Sequence, residues 1–201
     1  MRQNPERRTA LLDAAIEVLA REGSRGLTFR AVDTEAAVPV GTTSNYFANR
    51  ADLLHQVTRR TRVRLAPDPA ELAALMRATP DRALVVRLMR EVVARMRRDR
   101  SSHLAMLELR LEATRRPDLQ ADLTRTFSAE LEANIRFHLD SGLPGDRNAV
   151  VLLYLAMTGL ILDDLTAPDV LAPYPSDGLI DDLVTHILGP ATGGTTPPES
   201  R

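Results

Sequence analysis

The 201-residue sequence predicts an all-α protein of about nine helices. Three observations carry that expectation. Apolar residues recur at three- and four-residue spacing along most of the chain, and no stretch keeps the two-residue alternation of a half-buried strand. Ala and Leu dominate the apolar set while aromatic residues make up only 3%, which favours helix over sheet. Helix start and stop signals also fall at helix-length intervals.

Taken in order, Asn4, Pro5 and Glu6 supply a cap, a preset first helical residue and a first-turn acid. Leu12, Ile16 and Leu19 follow at helical spacing, Leu11, Ala15 and Val18 widen the stripe, and Gly23 is the expected stop. Thr28 caps a second helix that ends near Ala36 or Ala37, with Leu27 and Val32 placed as a hydrophobic staple. Val38 and Pro39 form the break, because proline disfavours helical backbone at the residue before it. A third short helix is predicted from about Val40 to Tyr46, and Pro39 leaves it without a side-chain cap. Asn49 caps a fourth, supported by Asp52, with Leu53, Leu54 and Val57 as its apolar face.

Ala66-Pro67-Asp68-Pro69 is the clearest punctuation, and the boundary is expected there, dividing residues 1–65 from 66–190. Asp68 and Glu71 open another helix, and Thr79-Pro80 a long one carrying Val85, Met89, Val92 and Met96 on one face. Ser101 or Ser102 caps the next, which ends at Arg115-Arg116. Leu119, Leu123, Phe127, Leu131 and Ile135 make a ladder that stops near Gly142. Asp146 opens a helix that is apolar nearly all round, as suits burial on several sides. Ser176 caps a last helix, with Leu179, Leu183 and Ile187, closed by Gly189. The Gly-, Thr- and Pro-rich tail, 191–201, is expected to be disordered.

Composition narrows the chemistry. The absence of Cys excludes disulfides, thiolate metal sites and Cys nucleophiles. All 26 basic residues are Arg, so Schiff-base chemistry and a P-loop Lys are excluded too. The four His residues (His55, His103, His138 and His186) are dispersed, with no close metal-ligand spacing. The pairs Asp163-Asp164 and Asp181-Asp182 are adjacent and point apart on a helix. No catalytic group, metal site or cofactor is therefore expected. The first helix is charged rather than a continuous apolar leader, and the Ala149–Leu162 run falls short of the roughly 20 residues of a membrane span. A soluble cytoplasmic protein without a membrane partner is expected.

Charge is distributed unevenly. Residues 1–65 hold 11 Arg against 7 acids, a balance of +4, and the remainder holds 15 Arg against 20 acids, a balance of −5. A basic front and an acidic rear suit a head that faces phosphate. Within that front, two short helices meet at an abrupt turn, and the second is almost wholly small and polar. This is the pattern of a helix-turn-helix DNA reader. An ordinary buried helix pair would carry apolar residues where this chain has Gly41-Thr42-Thr43-Ser44-Asn45-Tyr46. Gly41 allows backbone to approach backbone, while Thr42, Ser44 and Asn45 can donate and accept. Methyl groups of Val40 and of the threonines, Thr43 included, can meet thymine, and Asn45 can pair bidentately with adenine. Tyr46 suits a phosphate, while Phe47 should turn inward against Leu12 and Ile16. The helix starts capped by Thr28 and Asn49 would face the DNA backbone, with Arg30 and Arg50 adding guanidinium contacts.

Leu27, Thr28, Arg30, Val32, Ala36, Val38, Gly41, Thr42, Phe47 and Arg50, with the upstream helix Arg7–Gly23, resemble the DNA-binding region of TetR-type transcriptional regulators. The motif covers about the first third of the chain. Ala37 stands where the family often has a turn Gly, and Pro39 where it has a capping Ser. Thr43, Ser44 and Tyr46 replace its usual Leu, Tyr and His, so no operator preference carries over. The resemblance implies a helix-turn-helix domain followed by a helical ligand-binding and dimerisation domain. It further implies a homodimer that binds a palindromic double-stranded DNA operator, usually as a repressor, and is released by a small-molecule effector of unknown identity.

Two further residue sets follow from it. Met89, Met96, Met106, Leu107, Leu111, Phe127, Phe137 and Met157 are candidates to line an adaptable effector pocket. Leu152, Leu155, Gly159 and Leu162, with Leu179, Leu183 and Ile187, are candidates for the dimer interface, Thr158-Gly159-Leu160 resembling the family's Asp-Gly-Leu. The competing reading is a helical protein-interaction dimer with a vestigial head and no effector. A small helical enzyme is disfavoured, since no nucleophile–base or metal constellation is present.

Overall fold

The structure is a computed structural model, which describes residues 4–189; the expected disordered tail lies outside the described residues. Among these it contains ten α-helices, one 3-10 turn and no strand, so the all-α reading holds. The helices are α1 (Pro5–Gly26), α2 (Phe29–Glu35), α3 (Thr42–Tyr46), α4 (Arg50–Leu65), α5 (Pro69–Leu75) and α6 (Arg82–Arg98). After them come α7 (Arg100–Ala113), α8 (Pro117–Asp140), α9 (Arg147–Thr166), the 3-10 turn Pro168–Leu171 and α10 (Ser176–Leu188). They form two compact units, Met1–Pro69 with Ala94–Glu130, and Ala70–Val93 with Leu131–Arg201.

In the first unit α1 packs on α2, α4 and α7. Asn4 caps α1, its Oδ1 accepting from the Glu6 and Arg7 N–H groups at 2.9 and 3.3 Å. Gly23 breaks the helix (φ 68°, ψ −176°), as the sequence predicts, before a last turn ending at Gly26. The core joins Leu11, Leu12, Ile16 and Leu19 of α1 to Val32, Phe47, Leu53, Leu54 and Val57, and to Ala105 and Leu109 of α7. Around it, Arg60 binds Asp13 through Nε at 2.7 Å, and Arg64 bridges Glu17 and Asp99 at 3.2 and 2.8 Å. Asp99, and neither serine, caps α7: its Oδ1 accepts from the Ser102 N–H at 3.1 Å. Its second oxygen takes the Ser102 hydroxyl at 2.7 Å, so a residue expected as a cap is buried instead.

In the second unit α9 packs on α10 and the 3-10 turn. Ala149, Val150, Leu153, Met157, Leu160 and Leu165 of α9 are buried, as are Ile180 and Val184 of α10. Asp146 caps α9 through the Ala149 N–H at 2.9 Å. Asp81 supplies the acceptor for the start of α6, taking the Leu84 N–H at 2.9 Å, so that helix opens after Thr79-Pro80 rather than at it. Ser176 is the first residue of α10 rather than its cap; Pro175 precedes it with no side-chain cap. By length and composition α9 could cross a membrane. Its surface is nevertheless two-sided: opposite the buried residues lie Leu152, Leu155, Gly159 and Leu162, all exposed.

Candidate nucleic-acid interface

The turn between α2 and α3 is built from two left-handed residues. Ala37 adopts φ 50°, the only positive-φ non-glycine among the described residues, and Gly41 adopts φ 92°. A Cβ on Gly41 would meet nothing within 4 Å, so this glycine is required by its backbone angle and not by close approach. Ala37 accepts the same kind of angle at a cost of about 1–2 kcal/mol, where the family's turn glycine would not.

With Pro39 displacing a local cap, the exposed N–H groups of α3 turn to α2. Asp33, 1% exposed, accepts the Gly41 N–H at 2.7 Å and the Thr43 N–H at 2.7 Å. Its Oδ1 also accepts the Thr43 hydroxyl at 2.5 Å. One carboxylate therefore satisfies three donors and locks α3 to α2. Thr43 is fully buried by this arrangement, which removes it from the expected DNA contacts.

The other reading residues keep their surface positions. Val40 is 76% exposed, Ser44 and Asn45 are exposed, and Thr42 and Tyr46 are half-buried. Phe47 is buried in the core with Leu12 and Ile16, as expected. Arg8 of α1 lies over the Phe47 and Tyr46 rings at 5.3 and 6.0 Å, and its Nη2 donates to the Tyr46 carbonyl at 3.0 Å. It also donates to Gln56, tying α3 to α1 and α4 together. Thr28 caps α2, accepting the Ala31 N–H at 3.1 Å, and Arg30 is exposed one turn in. Asn49 caps α4 through the Asp52 N–H at 2.9 Å, and Asp52 answers by accepting from Ala48 at 3.0 Å.

Arg50 departs from its expected outward role. Its guanidinium donates to the Leu27 carbonyl at 3.3 Å, to the Ser24 carbonyl, to Ser24 Oγ at 2.9 Å and to Glu112 at 3.3 Å. It is a brace between α4, the α1–α2 junction and α7, because buried Glu112 and the junction carbonyls of Ser24 and Leu27 attract it inward. Glu112 also takes Arg116 at 2.6 Å and Arg115 at 3.4 Å. The Arg116 hydrogen bond first, then those from Ser24, Arg50 and Arg115, lower its carboxyl to about 2. One turn earlier Glu108 accepts the Ser24 N–H at 3.0 Å. An open cleft of about 490 Å³ lies there, lined by Ser24, Arg25, Leu27, Thr28, Phe29, Arg50 and Glu112.

The expected effector-lining residues divide between the units. Met96, Met106, Leu107, Leu111 and Phe127 belong to the first, and Met89, Phe137 and Met157 to the second. Met96, Met106 and Met157 are buried, whereas Leu111 and Phe137 are exposed. Of the expected interface residues, Leu179, Leu183 and Ile187 on α10 are half-buried, and the four on α9 share its exposed face. No group of three or more His, Asp or Glu residues able to hold a metal occurs among the described residues. Sequence reasoning missed Asp33, Arg8, Glu108 and Glu112. Asp33 left a trace, as an acid next to the staple residue Val32 and ahead of an uncapped helix.

Comparison with known proteins agrees with this geometry. The family model described as "Bacterial regulatory proteins, tetR family" matches residues 11–57, and "Tetracyclin repressor-like, C-terminal domain" matches residues 80–190. The HTH-type nicotine-responsive transcriptional repressor HdnoR of Paenarthrobacter nicotinovorans is 25% identical over 184 residues, covering 91% of this chain and 92% of its own. Among solved structures, a TetR-family member from Streptomyces coelicolor A3 is 29% identical with a TM-score of 0.68, over 92% of this chain and 99% of the other. The multidrug binding protein EbrR complexed with imidazole is 29% identical with a TM-score of 0.64, over 94% and 99%. EbrR has also been solved with ethidium. With more than half of its length matched by the C-terminal model and its head by the N-terminal one, the chain belongs to the tetR family of bacterial regulatory proteins.

Proposed function

We propose that this regulator is a cytoplasmic repressor that binds a palindromic DNA operator as a homodimer and leaves it when a small molecule binds. The observation that carries DNA binding is the Asp33-anchored α3, which holds Val40, Ser44 and Asn45 outward on a rigid base. Asn45 would read adenine and Arg30 would contact phosphate. The head corresponds to residues 1–65, with α4 as the connecting helix, and the effector-binding and dimerisation domain to 66–190.

The repressor and effector parts draw on the relatives: HdnoR is a nicotine-responsive repressor, and EbrR binds imidazole and ethidium. The homodimer draws on the exposed apolar face of α9, where Leu152, Leu155 and Leu162 flank Gly159, whose Cβ position meets nothing within 4 Å. Induction would be a population shift in which the effector favours a body conformation that moves α4 and spreads the heads. Selection from a random double-stranded DNA pool by the full-length protein at moderate salt tests the reading. A palindromic consensus with half-sites one helical turn apart, roughly 34–36 Å or a multiple, is expected. Binding with no sequence preference over random DNA overturns it.

A further inference from the structure

Besides the phenol of Tyr46, three hydroxyls stand in the reading segment, and each has a single hydrogen to give. Thr42 Oγ1 donates to the Pro39 carbonyl at 2.6 Å, and Ser44 Oγ to the Gly41 carbonyl at 2.7 Å. Thr43 Oγ1 donates to buried Asp33 at 2.5 Å. The turn thus consumes these three hydroxyl protons, and Thr42 and Ser44 have only lone pairs left to offer. In the major groove, guanine presents acceptors alone, at N7 and O6, whereas adenine N6 and cytosine N4 present donors. These hydroxyls are therefore matched to the donor of adenine N6 or cytosine N4, which A·T and G·C pairs both supply, and the choice between the pairs falls to other side chains.

The groups that most often read guanine are absent from the segment. Between Val38 and Asn49 there is neither Arg nor Lys. Arg50, next in the chain, is turned inward to Ser24, Leu27 and Glu112. Val40, meanwhile, leaves 76% of its surface exposed at the entrance to α3, an apolar side chain whose match on a base edge is the C5-methyl of thymine.

The geometry points to a head in which Val40 sits on the methyl of a thymine at the centre of each half-site, with no guanidinium–guanine contact from α3. The inference rests on the DNA-binding reading above and specifies the base class that reading leaves open. Selection from a random pool by the full-length dimer should give half-sites with at least one core thymine. Replacing the core thymines one at a time by uracil removes a single methyl group, and at one position wild-type affinity should fall about fourfold, the transfer free energy of that group expressed as an affinity ratio. The Val40→Ala protein should bind the thymine and uracil sites equally. An enriched palindrome without a core thymine, or a uracil penalty that persists undiminished in Val40→Ala, overturns the inference and leaves the regulator reading standing. Absence of any enriched sequence overturns both.

Discussion

Asp33 shows how much one buried carboxylate can organise. It replaces a cap that the chain cannot supply at Pro39, and it orders the turn without a glycine at position 37. Asp33→Ala should lower the unfolding free energy by about 2–3 kcal/mol, since three donors lose one charged acceptor. Asp33→Asn, which keeps the oxygen that serves Thr43, should lose less; urea denaturation compares the two. The arginines divide by the direction in which they point. Arg50→Ala should cost about 1–2 kcal/mol of stability yet leave the slope of log affinity against log salt unchanged. Arg30→Ala should alter stability by less than about 0.5 kcal/mol and flatten that slope by about 0.9. Equal salt slopes for the two variants would show that their roles are not divided in this way.

At the scale of the element, α7 is the base on which the head rests. Glu108 and Glu112, one turn apart, hold the α1–α2 junction and the start of α4. The carboxyl of Glu112 is lowered from its ordinary 4.5 to about 2. A lowered folded value means that its stabilisation is complete above the unfolded value and is lost as pH falls through the folded one. The loss should therefore run between about 4.5 and about 2 and amount to on the order of 2–3 kcal/mol. Asp52, Asp99, Asp118 and Asp122 are also lowered and contribute a slope of the same sign. The difference between wild type and Glu112→Gln isolates the one residue: stability measured across that acid range should fall less steeply in the variant. Parallel curves would remove Glu112 from this role.

For the whole molecule, the proposed homodimer rests on the exposed face of α9. Leu155 is 57% exposed, so Leu155→Glu should leave the protomer folded. In a dimer closed through this face the new carboxylate would be buried without a partner, and the dimer dissociation constant should rise at least about 100-fold. Sedimentation velocity across a concentration series reads this directly, and operator affinity should fall with the dimer because two linked heads share one palindrome. A variant that remains dimeric at wild-type concentrations would place the interface elsewhere.

Much of this was legible in the chain itself. Asn4, Thr28, Asn49 and Asp146 announced their helices, because a cap bonds to N–H groups two or three residues away and needs no tertiary partner. The inward turn of Phe47 and the family pattern from Leu27 to Arg50 could be read for the same reason, being local in spacing. Contacts that close over long separations could not. Thr43 leaves the DNA surface for a carboxylate ten residues back, and Arg50 turns to a glutamate 62 residues on. The sequence alone determined the helix starts capped by Asn4, Thr28, Asn49 and Asp146 and that α3 is small and polar, but not the starts of α6, α7 and α10. Only the tertiary structure decided which polar groups face outward, because Thr43 and Arg50 go to acceptors that folding brings to them.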